Sequence, residues 1–131
     1  MLIDLDENDL ALVRAAEAAI EANYDDKRYN HTVGSAVRAK NGKVYLGVNC
    51  DGIHGSCAEF IAIGAAITAG EREFERVVAV GAAAPPHHVL PPCGNCRQML
   101  FEYSPGCQVI LQVEGAYKKI AITDLLPYPC V

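Results

Sequence analysis

The sequence Pro-Cys-Gly-Asn-Cys-Arg-Gln at positions 92–98 constrains this chain more than any other stretch. Its proline ends the preceding loop, and residues 97–103 are good helix formers. Because side chains three residues apart share a helix face, the sulfurs of Cys93 and Cys96 can converge on one point. The positive end of the helix favours thiolates, which are the form of cysteine that binds a divalent metal.

Two cysteines leave a tetrahedral metal site incomplete, and Cys57 is the candidate for the third ligand. It opens a second predicted helix over 57–69, and Gly70 is a natural stop for that helix. The 35 residues between Cys57 and Cys93 can hold a helix, a strand and a loop, a crossover that would bring the two helix starts side by side. Three protein ligands and an open position indicate catalytic rather than structural zinc. Glu59 would then lie beside the open position.

Other histidines and cysteines leave alternatives open. His54, three residues before Cys57, is the main rival ligand, and its binding would close the site and make it structural. A redox role for Cys93 and Cys96 is a third hypothesis, but it leaves Cys57 and Glu59 unexplained. Of the remaining residues we expect two loop histidines, His87 and His88, and three free buried thiols, Cys50, Cys107 and Cys130.

Together, Cys57-Ala58-Glu59 and the motif at 92–98 resemble the zinc signature of the cytidine deaminase family in its three-cysteine form. The resemblance implies one zinc ion per subunit, held by the three cysteines, with Glu59 as the catalytic residue. Such an enzyme hydrolyses a cytosine-type ring to the uracil product and ammonia, and Glu59 would pass protons to ring N3 and to the leaving amine. The alternative is a non-catalytic, zinc-stabilised nucleoside-binding module.

The same resemblance implies a set of substrate contacts. Asn49 matches the Asn of the family's Asn-x-Glu, and Asp51 stands where a ribose-binding Glu is usual. His31 falls where these enzymes usually place a Phe, and these departures resemble blasticidin S deaminase, a relative that acts on a cytosine nucleoside antibiotic. Ala58 is expected at the substrate too. Tyr128 belongs to a Leu-Leu-Pro-aromatic segment that lines the pocket of a neighbouring subunit in the family.

The expected metal site has a net negative charge, because three thiolates carry more charge than one zinc ion. This negative charge makes the zinc a weaker Lewis acid. Many three-cysteine relatives carry an Arg directly after Cys-Ala-Glu, whereas this chain has Phe60 there. We therefore expect Arg97 to balance the charge by hydrogen bonds at the site, with help from the helix N-termini.

The charge of the chain argues against a nucleic-acid partner. Its 131 residues include 16 Asp and Glu against 11 Lys and Arg, which gives a net charge of −5 without a long basic run. Nucleic-acid-binding proteins neutralise phosphates with clustered Lys and Arg, so a small-molecule nucleoside fits better. The acidic N-terminus and the lack of a membrane-length apolar run predict no membrane partner and a cytoplasmic protein, in which sparse cysteines stay reduced.

The element pattern predicts an α/β protein with a single domain over residues 1–131. A helix over 7–23 has Asp6 as its N-cap and Asp9 in the capping-box position. The order α β β α β α β β predicts helices covering a mixed five-stranded sheet, a three-layer α/β/α sandwich. Its predicted strands cover 32–40, 43–49, 76–83, 108–113 and 117–122.

Turn signals set the expected strand directions. Asn41-Gly42 indicates a hairpin, and Glu114-Gly115 makes the last strand antiparallel to its neighbour. The strand over 76–83 is apolar throughout, which favours a central, parallel position, and residues 84–91 are expected to form a loop over the site. The fold resembles that of cytidine deaminases, and an antiparallel last strand is the version found in free-nucleoside deaminases of that family. The resemblance also implies a homotetramer.

Overall fold

The computed structural model describes residues 1–82 and 84–131. Seven strands, three α-helices and one 3-10 turn follow one another along the chain. In order they are β1 (Ile3–Asp4), α1 (Glu7–Asn23), β2 (Val33–Ala39), β3 (Val44–Val48), α2 (Ala58–Thr68), β4 (Phe74–Gly81), β5 (His88–Leu90), α3 (Gly94–Tyr103), β6 (Gln108–Val113), β7 (Ala116–Ala121) and the 3-10 turn Ile122–Leu125. The last residue of the strand predicted over 76–83, Ala83, lies outside the described residues.

The strands form one mixed sheet in the order β1-β7-β6-β4-β2-β3, with β5 also paired to β4. The prediction of five strands is wrong, because β1 and β5 bring the number to seven in the described chain. The predicted antiparallel β6–β7 pair is present. Strand β4 is central, but it is parallel only to β6 and antiparallel to β2 and β5.

Strand β5 corrects the expectation that residues 84–91 form only a loop. It pairs with Ala79–Gly81 of β4, next to the point where β6 pairs with Arg76 and Val77. Because β2 occupies the other edge of β4, β5 and β6 share one edge. The backbone of Val89 also donates to Oε1 of Gln112 in β6, at 2.9 Å. These pairings give regular structure to a proline-rich segment.

The helices pack on two separate apolar clusters. Alternate strand residues belong to different clusters, as strand geometry requires: Val77 packs with α2 and α3, whereas Val78 packs with α1. The layered α/β/α arrangement stays a prediction that these two clusters support. In the described part of the chain, no helix combines the length and the apolar character needed to cross a membrane.

A close approach of β3 to α2 fixes the first turns of α2 on the sheet. A Cβ atom at Gly47 would lie 2.4 Å from the backbone nitrogen of Ala62 and 2.7 Å from the carbonyl oxygen of Ala58. Only glycine allows this approach, because other residues would force the backbones apart. The start of α2, which carries Cys57 and Glu59, is therefore positioned by the hairpin.

The exposure of two helices differs from the sequence expectation. Helix α2 is apolar nearly all round, which predicts burial on every side, but Ile61, Gly64, Ala65 and Thr68 are exposed on one face. In α1, the helical spacing of Leu10, Val13, Ala16 and Ile20 predicts one buried stripe, but Leu10 is exposed and the other three are buried. The exposed face of α2 is unusually apolar for a surface, which is typical of a face that contacts another protein.

A buried carboxylate ties α1 to the sheet. The predicted capping box of Asp6 and Asp9 is present, and Asp9 is also fully buried. Its Oδ1 accepts from Arg76 Nε at 2.8 Å and from Arg38 Nη2 at 3.1 Å, and its Oδ2 accepts from Lys119 Nζ at 2.7 Å. Asp9 thus joins α1 to three strands.

Candidate metal centre and active site

The three cysteines of the predicted metal site lie together. Their sulfur atoms are all within 4.8 Å of one another, and the sulfurs of Cys57 and Cys93 are 3.6 Å apart. Cys57 is the N-cap of α2, and Cys93 is the N-cap of α3, which also carries Cys96 in its first turn. The two helix starts therefore lie side by side, and among the described residues His54 is not part of this group.

The donor set fits a zinc ion. Zinc bonds thiolate sulfur at about 2.3 Å in tetrahedral geometry, so sulfurs sharing one zinc would be about 3.8 Å apart. The 3.6 Å between the sulfurs of Cys57 and Cys93 is close to this value, and no sulfur pair in the group is more than 4.8 Å apart. Because the group supplies three ligands, it matches the catalytic pattern in which one position is left for water or substrate.

The environments of the thiols differ. Burial alone would raise the pKa of Cys93, but the hydrogen bond that its sulfur accepts from the backbone of Cys96 lowers the pKa below its usual value. Burial raises the pKa of Cys96 well above its usual range, and the charge of Glu59 adds to this effect. Zinc binding therefore has to displace a tightly held proton, which makes the binding pH-dependent.

Glu59 lies in the first turn of α2, beside the cysteines. Glu59 is only 6% exposed to solvent, and it lines a cavity together with Cys57 and Cys93. Burial raises the pKa of Glu59 above its usual value. A carboxyl group whose pKa is shifted towards neutrality can both accept and donate a proton under physiological conditions.

The cavity has a volume of about 380 Å³, within the range of small-molecule sites. Of the residues predicted to bind substrate, Asn49 and Asp51 lie in its wall. Sequence reasoning missed the other lining residues, whose positions depend on strand pairing and on the loop before α2. They are Val33, Gly55, Ser56, Ala79, Leu90 and Pro91.

A short network holds Asn49 and Asp51 in place. Asn49 Oδ1 accepts from the backbone of Val33 at 3.0 Å, and its Nδ2 donates to Asp51 Oδ1 at 3.1 Å. His31 Nδ1 donates to the carbonyl oxygen of Asn49 at 2.8 Å. His31 therefore supports the loop behind Asn49 and is not among the residues that line the cavity.

Three other predicted site residues lie outside the cavity wall. Ala58 is fully buried, whereas Tyr128 is 98% exposed. Arg97 donates from Nε to the carbonyl oxygen of Pro92 at 2.8 Å and from Nη1 to that of Leu125 at 3.1 Å. Arg97 thus joins the loop before Cys93 to the C-terminal segment, and its charge-balancing role stays a prediction.

The remaining cysteines and histidines also differ from expectation. Cys107 is buried as predicted, but Cys50 and Cys130 are exposed. His88 is exposed and starts β5, whereas His87 is buried and contacts α1. Neither histidine belongs to the cysteine group.

Comparison with known proteins agrees with this site. Residues 6–112 match the family model for the cytidine and deoxycytidylate deaminase zinc-binding region. A blasticidin-S deaminase from Bacillus cereus is 34% identical over 132 residues, covering 95% of this chain and 93% of that protein. A cytidine deaminase from Halalkalibacterium halodurans is 36% identical over 100 residues, covering 72% and 74% of the two chains.

Solved structures agree as well. The cytidine deaminase from Burkholderia pseudomallei superposes with a TM-score of 0.77 at 33% identity, over 96% of this chain and all of that chain. The cytidine deaminase from Mycobacterium tuberculosis gives a TM-score of 0.74 at 27% identity, over 98% and 99% of the two chains. The family model spans the cysteine group and most of the chain, and the fold agrees throughout. The chain therefore belongs to the cytidine and deoxycytidylate deaminase family.

Proposed function

We propose that this protein is a cytoplasmic, zinc-dependent hydrolase that deaminates a cytosine nucleoside or nucleoside analogue, releasing ammonia and the uracil product. One observation carries the proposal: three cysteine sulfurs meet at the starts of two helices, beside a buried carboxylate on a cavity wall. The family supports the same chemistry. The single domain covers residues 1–131, with Cys57, Cys93 and Cys96 as the metal ligands.

The roles of the residues follow from their positions. When bound, zinc supplies the Lewis acidity that activates water at neutral pH. Glu59 would take a proton from the attacking water and deliver it to ring N3 as the water oxygen bonds to C4 of the base. It would then carry the second proton of that water to the amine as the C4–N bond breaks and ammonia leaves. Because Glu59 is buried, bulk water has little access to the proton that it carries. Two helix N-termini offset part of the negative charge of the thiolates.

The substrate is a small molecule rather than a polynucleotide. The cavity has a nucleoside-scale volume of about 380 Å³, and the net charge of −5 disfavours a phosphate backbone. Asp51 presents a carboxylate that is fixed by Asn49 and can accept a hydrogen bond from a ribose hydroxyl or from an ammonium group. Relatives named for both cytidine and blasticidin S support these two substrate types.

An ammonia-release screen tests this function. We expect turnover of at least one of cytidine, deoxycytidine, 5-substituted cytidines and blasticidin S, and much slower turnover of free cytosine, which lacks the groups that Asp51 can bind. We expect no deamination of single-stranded DNA. Efficient DNA deamination, or no turnover of any nucleoside by the zinc-loaded protein, would contradict the proposal.

We also propose that the enzyme is a homotetramer. The apolar residues exposed on α2, among them Ile61 and Ala65, are suited to burial between subunits, and Tyr128 projects fully from the surface. We expect a tetramer mass by light scattering, and the variant Ile61→Asp to give smaller species because it would bury a charge at the contact. Lys27→Ala, which removes an exposed side chain that is not part of α2, is the control. A monomeric unmodified protein would rule out this assembly.

A further inference from the structure

The side chain of His87 is almost completely buried and faces two acceptors. Its Nδ1 lies 2.5 Å from the carbonyl oxygen of Ala82, and its Nε2 lies 2.7 Å from Oε1 of Glu21. Its side chain is 3% exposed, whereas that of Glu21 is 51% exposed. This histidine therefore joins the end of β4 to the last turn of α1 in a pocket that water scarcely reaches.

Both partners of His87 are oxygen acceptors, so each ring nitrogen needs an N–H to form its hydrogen bond. A neutral imidazole carries one N–H and can satisfy only one acceptor, whereas the doubly protonated ring satisfies both. The charged groups that face His87 are Glu21 and Glu17 on α1, and the end of β4 presents the Ala82 carbonyl. The hydrogen bond to Glu21 raises the pKa of His87 above its usual value, against the opposing effect of burial. The negative end of α1 favours the cation too.

His87 lies at the start of a segment that forms part of the active site. It directly precedes β5, which pairs with β4 through Leu90, Val89 and His88. Leu90 and Pro91 line the cavity, as does Cys93, three residues after Leu90. A movement of β5 would therefore displace both the cavity wall and the chain that leads to Cys93.

We propose that His87 is a positioning residue: in its doubly protonated form it fastens β5 to β4 and α1, and so sets the cavity wall beside Cys93. The consequence for substrate binding rests on the proposed function. The consequence for the order of β5 rests on the contacts of His87 alone.

The pH dependence has a defined direction. Because the folded protein raises the pKa of His87, the contribution of the bridge is complete below the ordinary histidine pKa of about 6.5 and is lost as pH rises through the raised pKa. Above it, one ring nitrogen turns a lone pair towards an acceptor. Above the raised pKa of His87, we expect the β5 amides to be less protected from hydrogen exchange, once the intrinsic pH dependence of amide exchange has been subtracted. In the same pH range we expect KM to rise about fivefold, with a smaller change in kcat.

Two substitutions of Glu21 separate the proton-dependent bridge from simple packing. In Glu21→Gln the side-chain amide can donate to neutral His87, so we expect the exchange rate of β5 and KM to lose their dependence on the His87 proton. In Glu21→Ala the bridge to α1 is absent, so β5 should exchange fast and KM should be high at every pH. Glu17→Gln, which changes a carboxylate on the same helix without removing that hydrogen bond, should keep the transition but move its midpoint to lower pH, because the charge of Glu17 also raises the pKa of His87.

Three measurements complete the test: hydrogen exchange of the backbone amides of residues 88–90, the NMR titration of His87 and the pH profile of KM, all on the zinc-loaded protein. Histidine signals are assigned with His87→Gln, since the chain has four histidines. If His87 titrates while the protection of the β5 amides from hydrogen exchange stays constant, the positioning role is wrong. It is also wrong if Glu21→Gln keeps the pH-dependent change in that protection and in KM. If no nucleoside is deaminated but β5 exchange follows His87, only the proposed function fails.

Discussion

The variant Glu59→Gln is expected to retain one zinc ion per chain and to lose about 10⁴-fold in kcat, the upper end of what a positioned acid–base group contributes. Glutamine keeps the size and much of the polarity of a side chain that is only 6% exposed. It cannot shuttle a proton, and the described cavity offers Asp51 as its other carboxylate, already hydrogen-bonded to Asn49. Metal content by elemental analysis and ammonia release under single-turnover conditions check both parts.

A matched variant separates loss of the proton carrier from loss of the metal. Cys96→Ser removes a buried thiol from the cysteine group, so we expect it to lose zinc as well as activity, because serine is a poor zinc ligand beside two thiolates. The comparison also tests the alternative of a zinc-stabilised binding module. A module would bind nucleoside without turnover in the unmodified protein and would be indifferent to Glu59→Gln.

Two outcomes would contradict the role of Glu59. A Glu59→Gln protein that keeps a tenth or more of the wild-type kcat would show that another group carries the proton. A Glu59→Gln protein that loses its zinc would show that the carboxylate acts on the metal site rather than on the substrate. Each result would leave the membership of the family intact, since that rests on similarity over most of the chain.

The features that the sequence predicts well depend on short-range signals. Helix α1 spans the predicted residues 7–23, because Asp6 and Asp9 form the capping box. Gly42 has the positive φ angle, 91°, that the predicted Asn-Gly hairpin needs. The cysteines were placed at helix starts by the residues that follow them. In each case the determining residues lie within a few positions of the feature.

The features that the sequence did not predict depend on partners far along the chain. Strand β5 has three residues and forms because β4 and Gln112 offer hydrogen bonds to it. Arg97 donates to the carbonyl oxygen of Leu125, 28 residues along the chain, a contact that its local sequence does not indicate. The cavity residues Val33 and Ala79 are ordinary strand residues until the sheet places them near Glu59.

Asp9 depends both on a local sequence signal and on partners distant in sequence, and its substitution is expected to have a large effect on the free energy of unfolding. Its place in the capping box was predictable, but its complete burial among Arg38, Arg76 and Lys119 was not. We expect Asp9→Asn to lower the free energy of unfolding at pH 7 by about 3 kcal/mol, since it removes the nearest counter-charge of the buried cations Arg76 and Lys119. Chemical denaturation followed by circular dichroism measures this change.

The same network predicts a loss of stability in acid. Burial alone would raise the pKa of Asp9, but hydrogen bonds from Lys119 and Arg76 hold it well below its usual range. A carboxyl group with a depressed folded-state pKa contributes stability above its unfolded pKa of about 3.9 and loses that contribution as pH falls below it. The difference in stability between wild type and Asp9→Asn should therefore shrink as pH falls from 5 towards 2.

A control and a double variant make the Asp9 prediction specific. Asp4→Asn removes an exposed carboxylate that pairs with Lys118 at the surface, so its unfolding midpoint should match that of wild type. Lys119→Met removes one cation, and the double variant with Asp9→Asn should be less destabilised than the sum of the two single variants, because the partners are in direct contact. Additive effects, or a loss below 1 kcal/mol in Asp9→Asn, would mean that the desolvation of Asp9 cancels its attraction to the three cations. The buried carboxylate would then specify how α1 docks on the sheet without adding to its stability.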